Sequence, residues 1–240
     1  MDIVGTFKDS IEVAKKNPII FVPTVAVGLI TTAVSIVLIG GAMTPAGTMG
    51  GMGSPAGAMG AVGAAMGLAA LLSIVGMVLG LVAHGMTVGM AQEAIAVGTT
   101  NLNTGISVVT SRLVQLILAA VLVGIAVGVG MMLLVIPGII AAFLFMFTFV
   151  IIIVENIGAV DAMKKSFELV KANLGDLIIL FIAVIGVGIV IGIISMIFRF
   201  IPVLGQLAGS LLMGLFGGYI TIVIVKVYQG LTKKVQPELT

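Results

Sequence analysis

A chain of 240 residues that is 60% hydrophobic and 8% charged, with a mean hydropathy of +1.37, carries more apolar surface than one water-soluble core of that size can hide. The formal net charge is only +2, so a pI near 9 does not point to nucleic acid, and the placement of the charges matters more than their sum. Cysteine is absent, which excludes disulfides, thiolate catalysis and cysteine metal sites.

The first seventeen residues are polar and amphipathic, unlike a cleavable signal, so the first span is expected to be retained. In "VGTFKDSIEVAKKN" (residues 4–17) the apolar positions Val4, Phe7, Ile11 and Ala14 recur at helical spacing beside Lys8, Lys15 and Lys16. No charge occurs from Lys16 to Glu93. A bilayer core of about 30 Å needs roughly 20 helical residues, so this stretch predicts a span at 19–39 and another at 61–83. Between them, "GGAMTPAGTMGGMGSPAGAMG" (40–60) is rich in Gly and Pro, with a near-repeat of Thr44-Pro45-Ala46-Gly47 at Ser54-Pro55-Ala56-Gly57. It reads as an outer loop. Its Met43, Met49, Met52 and Met59 offer thioether sulfur of the kind that binds Cu(I), but no His or Cys accompanies them, and no metal site is expected.

The charge-free run from Arg112 to Glu155 is too long for one crossing and contains Pro137-Gly138, which predicts a hairpin of spans at 113–135 and 138–154. After it, "VDAMKKSFELVKAN" (160–173) repeats residues 4–17 without gaps, identical at Val, Lys, Ser, Glu, Lys and Asn. Val160, Met163, Phe167, Val170 and Leu174 form its apolar stripe, and Asp161, Lys164, Lys165, Glu168 and Lys171 cover the other face. Two further charge-free runs predict spans at 177–198 and 203–226, with Pro202 at the turn between them. A weaker third copy of the amphipathic pattern, "NLNTGISVVTSR", carries Leu102, Ile106, Val109 and Leu113, with Arg112 at its end.

The fold class expected is all-α. It has six transmembrane helices and three interfacial amphipathic helices in three parallel units, 1–98, 99–157 and 158–228, followed by a tail, 229–240. This threading puts all nine acids and ten of the eleven basic residues on one side, with Arg199 alone opposite. Basic residues in short loops mark the cytoplasmic face, so both termini are expected inside, in the plasma membrane of a prokaryote.

Chemistry-bearing residues are sparse in the spans. His84 is the one candidate polar site, more readily explained by a hydrogen bond than by a proton relay. Glu93 and Glu155 read as interfacial anchors, with Lys226 a candidate partner. Glycines at small-residue spacing predict close helix packing: Gly63/Gly67, Gly76/Gly80, Gly85/Gly89, Gly124/Gly128, Gly188/Gly192 and Gly205/Gly209/Gly214/Gly218. There is no phosphate-cradling loop, no nucleophile beside a base and no metal-ligand cluster, so neither an enzyme nor a cofactor is expected.

The run "VIPGIIAAFLFMFTFVIIIVEN" into "IGAVDAMKKSFELVKANLGDLIIL", with Pro137, Gly138, Ala162, Ser166, Lys171 and Asn173, resembles YciC-like proteins and the membrane domain fused to some glycerophosphoryl diester phosphodiesterases. The resemblance covers roughly residues 95–226. It implies a six-span helical protein, supplies no activity, and here comes without a catalytic domain.

The leading expectation is a non-enzymatic protein that organises membrane or a partner complex through Lys8, Lys15, Lys16, Arg112, Lys164, Lys165 and Lys171. Anionic headgroups, other membrane proteins or a second copy would be its partners, and nucleic acid would not. The alternatives are a glycine-lined pore or permease for a neutral or lipid-like solute, and an anchor subunit for a separate enzyme.

Overall fold

The computed structural model describes residues 2–42, 55–198, 200–201 and 203–235. Among these residues the chain is helical throughout. In order come α1 (Ile3–Lys16), a 3-10 turn (Pro18–Phe21), α2 (Val22–Ala42), α3 (Pro55–Val97), α4 (Leu102–Leu133) and α5 (Val135–Leu144). These are followed by α6 (Thr148–Glu155), α7 (Ala159–Ala172), α8 (Leu174–Phe198) and α9 (Leu204–Val235). Six stretches are long and apolar enough to cross a membrane: Pro18–Val37, Met66–Val97, Leu102–Leu133, Val135–Glu155, Leu174–Phe198 and Leu204–Lys233.

The expected loop at 40–60 is helical at both ends, because α2 runs to Ala42 and α3 starts at Pro55. Pro55 stands at the first helical position, where a missing N–H removes no bond. Residues 43–54, with Met43, Met49 and Met52, lie outside the described residues, as do Arg199 and Pro202. With 43 residues, α3 is about 65 Å long, roughly twice what a bilayer core requires.

The third amphipathic copy is not a separate helix. Asn101 caps α4, its Oδ1 accepting from the Thr104 N–H at 3.0 Å, and the helix continues unbroken to Leu133. Nothing at 101–113 stops it, whereas α1 and α7 each end at an asparagine. Asn17 Nδ2 donates to the Val13 carbonyl (3.3 Å) and Asn173 Nδ2 to the Leu169 carbonyl (2.9 Å).

The α4–α5 corner also differs from expectation. The chain turns at Leu134, which is extended, and Pro137-Gly138 lies in the first turn of α5. Proline is tolerated there for the same reason as at Pro55. The pair instead lets the two helices touch: a Cβ on Gly130 would sit 2.8 Å from the Gly138 backbone, so two glycines permit a one-residue connection.

The fourth span is itself broken between Leu144 and Thr148. Around this break lies the core, in which Ile20, Val88, Leu116, Phe147, Ile151, Leu177, Ile222 and Tyr228 are fully buried. Toward the α4–α5 corner and the start of α9 the apolar side chains face outward instead, with Met132 91% and Leu204 70% exposed. Such a surface suits hydrocarbon as its solvent.

Candidate functional site

The residues that combine charge, burial and hydrogen bonding gather at the end of the bundle formed by the last turns of α3, α6 and α9, where α1 and α7 dock. Two neighbours on α7 hold it to the fourth span. Ser166 is fully buried; its hydroxyl donates to the Leu144 carbonyl (2.8 Å) and accepts from the Phe147 N–H (3.2 Å). These are two of the backbone groups that the break in the span leaves without helical partners. In a bilayer, water cannot supply them, so a hydroxyl from another helix does. Lys165 Nζ meets Glu155 Oε2 at 2.6 Å, at the end of α6.

The start of α7 is held from α4: Gln115 Oε1 accepts from the Ala159 N–H at 3.0 Å, capping a helix whose own preceding residue is Gly158. Ala159, Ala162, Ser166 and Val170 form the buried face of α7. The expected apolar stripe therefore divides. Val170 faces protein, while Val160, Phe167 and Leu174 remain exposed. Val160, Met163, Phe167, Leu122 and Phe145 line a groove of about 420 Å³ that Lys164 and Glu168 border.

Helix α9 ties both surface helices together. The Tyr228 hydroxyl donates to Glu155 Oε1, and its ring packs on Phe147 with centroids 5.9 Å apart. About two and a half turns earlier, the Tyr219 hydroxyl donates to the Phe7 carbonyl of α1 at 2.9 Å, and Lys226 Nζ pairs with Asp9 Oδ2 at 2.8 Å. Ser10, in register with Ser166 in the sequence repeat, is also fully buried, yet among the described residues it bonds only the Thr6 carbonyl of its own helix (2.7 Å). Asn17 Nδ2 reaches the Gly98 carbonyl (3.1 Å), which fixes the end of α1 to the end of α3.

Five of the seven expected contact residues, Lys8, Lys15, Lys16, Lys164 and Lys171, are exposed at this end. The other two turn inward: Lys165 pairs with Glu155, and Arg112 Nη1 lies 3.5 Å from the Ile152 carbonyl. Lys226 pairs with neither expected acid, because Tyr228 and Lys165 take Glu155, and Glu93 accepts from the Thr100 hydroxyl at 2.7 Å. His84 Nδ1 lies 3.4 Å from Thr221 Oγ1, and its ring meets Phe149 edge-to-face. That is the environment of a satisfied packing residue. Arg112 Nε and Thr148 Oγ1 are buried without a hydrogen-bond partner among the described residues.

The glycines divide by position. A Cβ at Gly214 would lie 2.9 Å from Val25 Cα, and one at Gly85 would lie 2.9 Å from Val109 Cγ2; Gly218 faces Phe21 and Gly89 faces Val108 just as closely. Gly76, Gly188, Gly192 and Gly209 have neighbours at ordinary contact distance, and a Cβ at Gly205 would run into the Phe198 carbonyl. At Gly63, Gly67, Gly80, Gly124 and Gly128 a Cβ would meet nothing within 4 Å, so among the described residues these five bring no helices together.

The residues that sequence reasoning missed are Tyr219, Tyr228, Gln115 and the two-sided role of Ser166. The tyrosines had a signal, since the chain has only two and both fall in the last span. Among the described residues no group of three or more His, Asp or Glu could hold a metal ion. The arrangement positions helices and displays lysines.

Residues 1–232 match the family described as "Domain of unknown function (DUF7847)". The match is not to the YciC-like proteins or the diesterase-linked membrane domain that the Pro-Gly and Ala-x-x-x-Ser motifs resemble. Neither the curated proteins nor the solved structures gave a match. With nearly its whole length covered, the chain belongs to the DUF7847 family, an uncharacterised family, and among the described residues it is all-helical with six stretches long and apolar enough to cross a membrane.

Proposed function

We propose that this chain is a non-enzymatic membrane protein that engages anionic lipid headgroups on the cytoplasmic face of the plasma membrane through α1 and α7. One observation carries the reading: both helices are pinned to α9 or its contacts by specific bonds, while Lys8, Lys15, Lys16, Lys164 and Lys171 are left outward. Two helices held rigidly at one end of the bundle present their lysines in a fixed array, which lowers the ordering cost of binding a charged surface. Beside Lys164, the groove floored by Leu122, Phe145 and Phe167 suits the first methylenes of an acyl chain whose phosphate meets the lysine. The recurrence of the pattern in residues 4–17 and 160–173 supports a repeated surface unit.

The test replaces the five outward lysines with glutamine and leaves Lys165 in place for its bond to Glu155. After reconstitution in mixed vesicles, the phosphatidylglycerol retained per protein, relative to phosphatidylcholine, is expected to fall about fivefold or more, and less so at high salt. An unchanged ratio contradicts the proposal.

A further inference from the structure

The opposite end of the bundle contains a polar cleft that the headgroup-binding reading does not use. It has a volume of about 910 Å³ and lies between α2, α8 and α9, lined by Thr31, Thr32, Ser35, Ser195, Gln206 and Ser210 together with glycines and methionines. Its position follows from the helices: the lining residues come from the last turns of α8 and the first turns of α9, whereas Tyr219 and Tyr228, further along α9, hold α1 and α7. The cleft therefore reaches from the far end to about the middle of α2.

Polar side chains at membrane depth cost free energy unless they face a partner or a wet cavity, so six on one cleft call for an explanation. Helix back-bonding explains two. Thr31 donates to the Val27 carbonyl (2.7 Å) and Ser210 to the Leu207 carbonyl (2.9 Å), which leaves each oxygen able to accept. It does not explain Ser195, which is only 9% exposed and whose hydroxyl has no partner among the described residues. A buried orphan hydroxyl lining a roomy polar cleft marks a place where a ligand atom belongs.

The lining sets the ligand's chemistry. None of the described lining residues is charged, so among them an ionic group would find no counter-charge to offset its lost hydration. Accepting oxygens at Thr31 and Ser210, with donors at Ser195 and Gln206, match a group that both donates and accepts at close spacing. The volume is that of a small-molecule site. The lining Met196 is 68% exposed, and Val34 and Leu204, next in the chain to the lining Ser35 and Gly205, are exposed apolar residues too.

We infer that this cleft binds an uncharged polyhydroxyl group, such as a sugar or glycerol moiety, carried on a membrane lipid or free in solution. The experiment uses the full chain in phosphatidylcholine nanodiscs with two probes: a glucosyl diacylglycerol incorporated in the discs, and methyl glucoside added to the buffer. Lipid retention is read by native mass spectrometry and sugar binding by saturation-transfer NMR. Retention of one probe that drops about tenfold in the Ser195→Ala/Gln206→Leu double variant supports the site, and which probe is retained identifies the source. Ser195→Ala removes an orphan oxygen, so the thermal midpoint is expected to hold or rise. Gly209→Leu provides a second disruption: its Cβ has ordinary room, 3.7 Å from Ser195, and its longer atoms enter the cleft. The five-lysine variant should retain the glucosyl lipid as the parent does. Neither probe binding, or equal binding in parent and both cleft variants, overturns the inference.

Discussion

Ser166→Ala is expected to destabilise the protein by about 2–4 kcal/mol, because it removes the one side chain that serves both the Leu144 carbonyl and the Phe147 N–H at the break in the fourth span. The substitution leaves no clash and only a small void, so the loss comes from two backbone groups stranded where water does not reach. Ser10→Ala is the matched control. Ser10 is equally buried and occupies the same place in the sequence repeat, but it donates only to the Thr6 carbonyl within its own helix. Its removal should cost less than about 1 kcal/mol. Unfolding of the reconstituted protein measures both, and hydrogen exchange should rise across 145–172 in the first variant and stay at parent level there in the second. Equal effects would mean that Ser166 is a packing residue and nothing more.

Gly214→Leu should have the second large effect, about 3 kcal/mol or more. Its Cβ would lie 2.9 Å from the Val25 Cα, and backbone cannot rotate away as a side chain can. Separating α9 from α2 would also break the bond from the Thr24 hydroxyl to the Gly214 carbonyl, now 3.0 Å. Gly124→Leu supplies the contrast: nothing lies within 4 Å of that Cβ, and the change is expected to stay within about 0.5 kcal/mol. The two glycines have the same kind of spacing in the sequence, so a comparable loss at both would overturn the division of the glycines into packed and outward sets.

That division shows what the sequence could and could not carry. Spans were legible because charge avoids hydrocarbon, so the gaps between Lys16, Glu93, Arg112, Glu155 and Asp176 bound helices whatever their packing. Helix ends inside the apolar runs were not legible. Pro137-Gly138 reads as a stop, yet the chain turns at Leu134, because proline is harmless in a first turn and the glycine's absent side chain is used for contact. The break at Leu144–Thr148 has no sequence mark at all. It depends on a serine 22 residues beyond Leu144 in the chain, a position marked in the sequence by its identity with Ser10 in the repeat and by the Ala-x-x-x-Ser motif. Small-residue spacing gave the faces along which glycines line up but not which of those faces meet a neighbour. The amphipathic stripe of α7 was found, but its small residues, Ala159, Ala162 and Ser166, form the face buried against protein. Hydrophobic periodicity weights large side chains and so selected a stripe of which Val170 is buried while Val160, Phe167 and Leu174 face outward.

The account rests on α1 and α7 sharing one face of the membrane, with the α2–α3 connection on the other. The chain has no cysteine, so single cysteines can be placed at Glu12, Ala172 and Gly50 and exposed to an impermeant maleimide on intact cells. Labelling at Gly50 alone, with Glu12 and Ala172 reacting only after lysis, is the result expected. Labelling of Glu12 but not Ala172, or the reverse, would place the two helices on opposite faces and contradict the account.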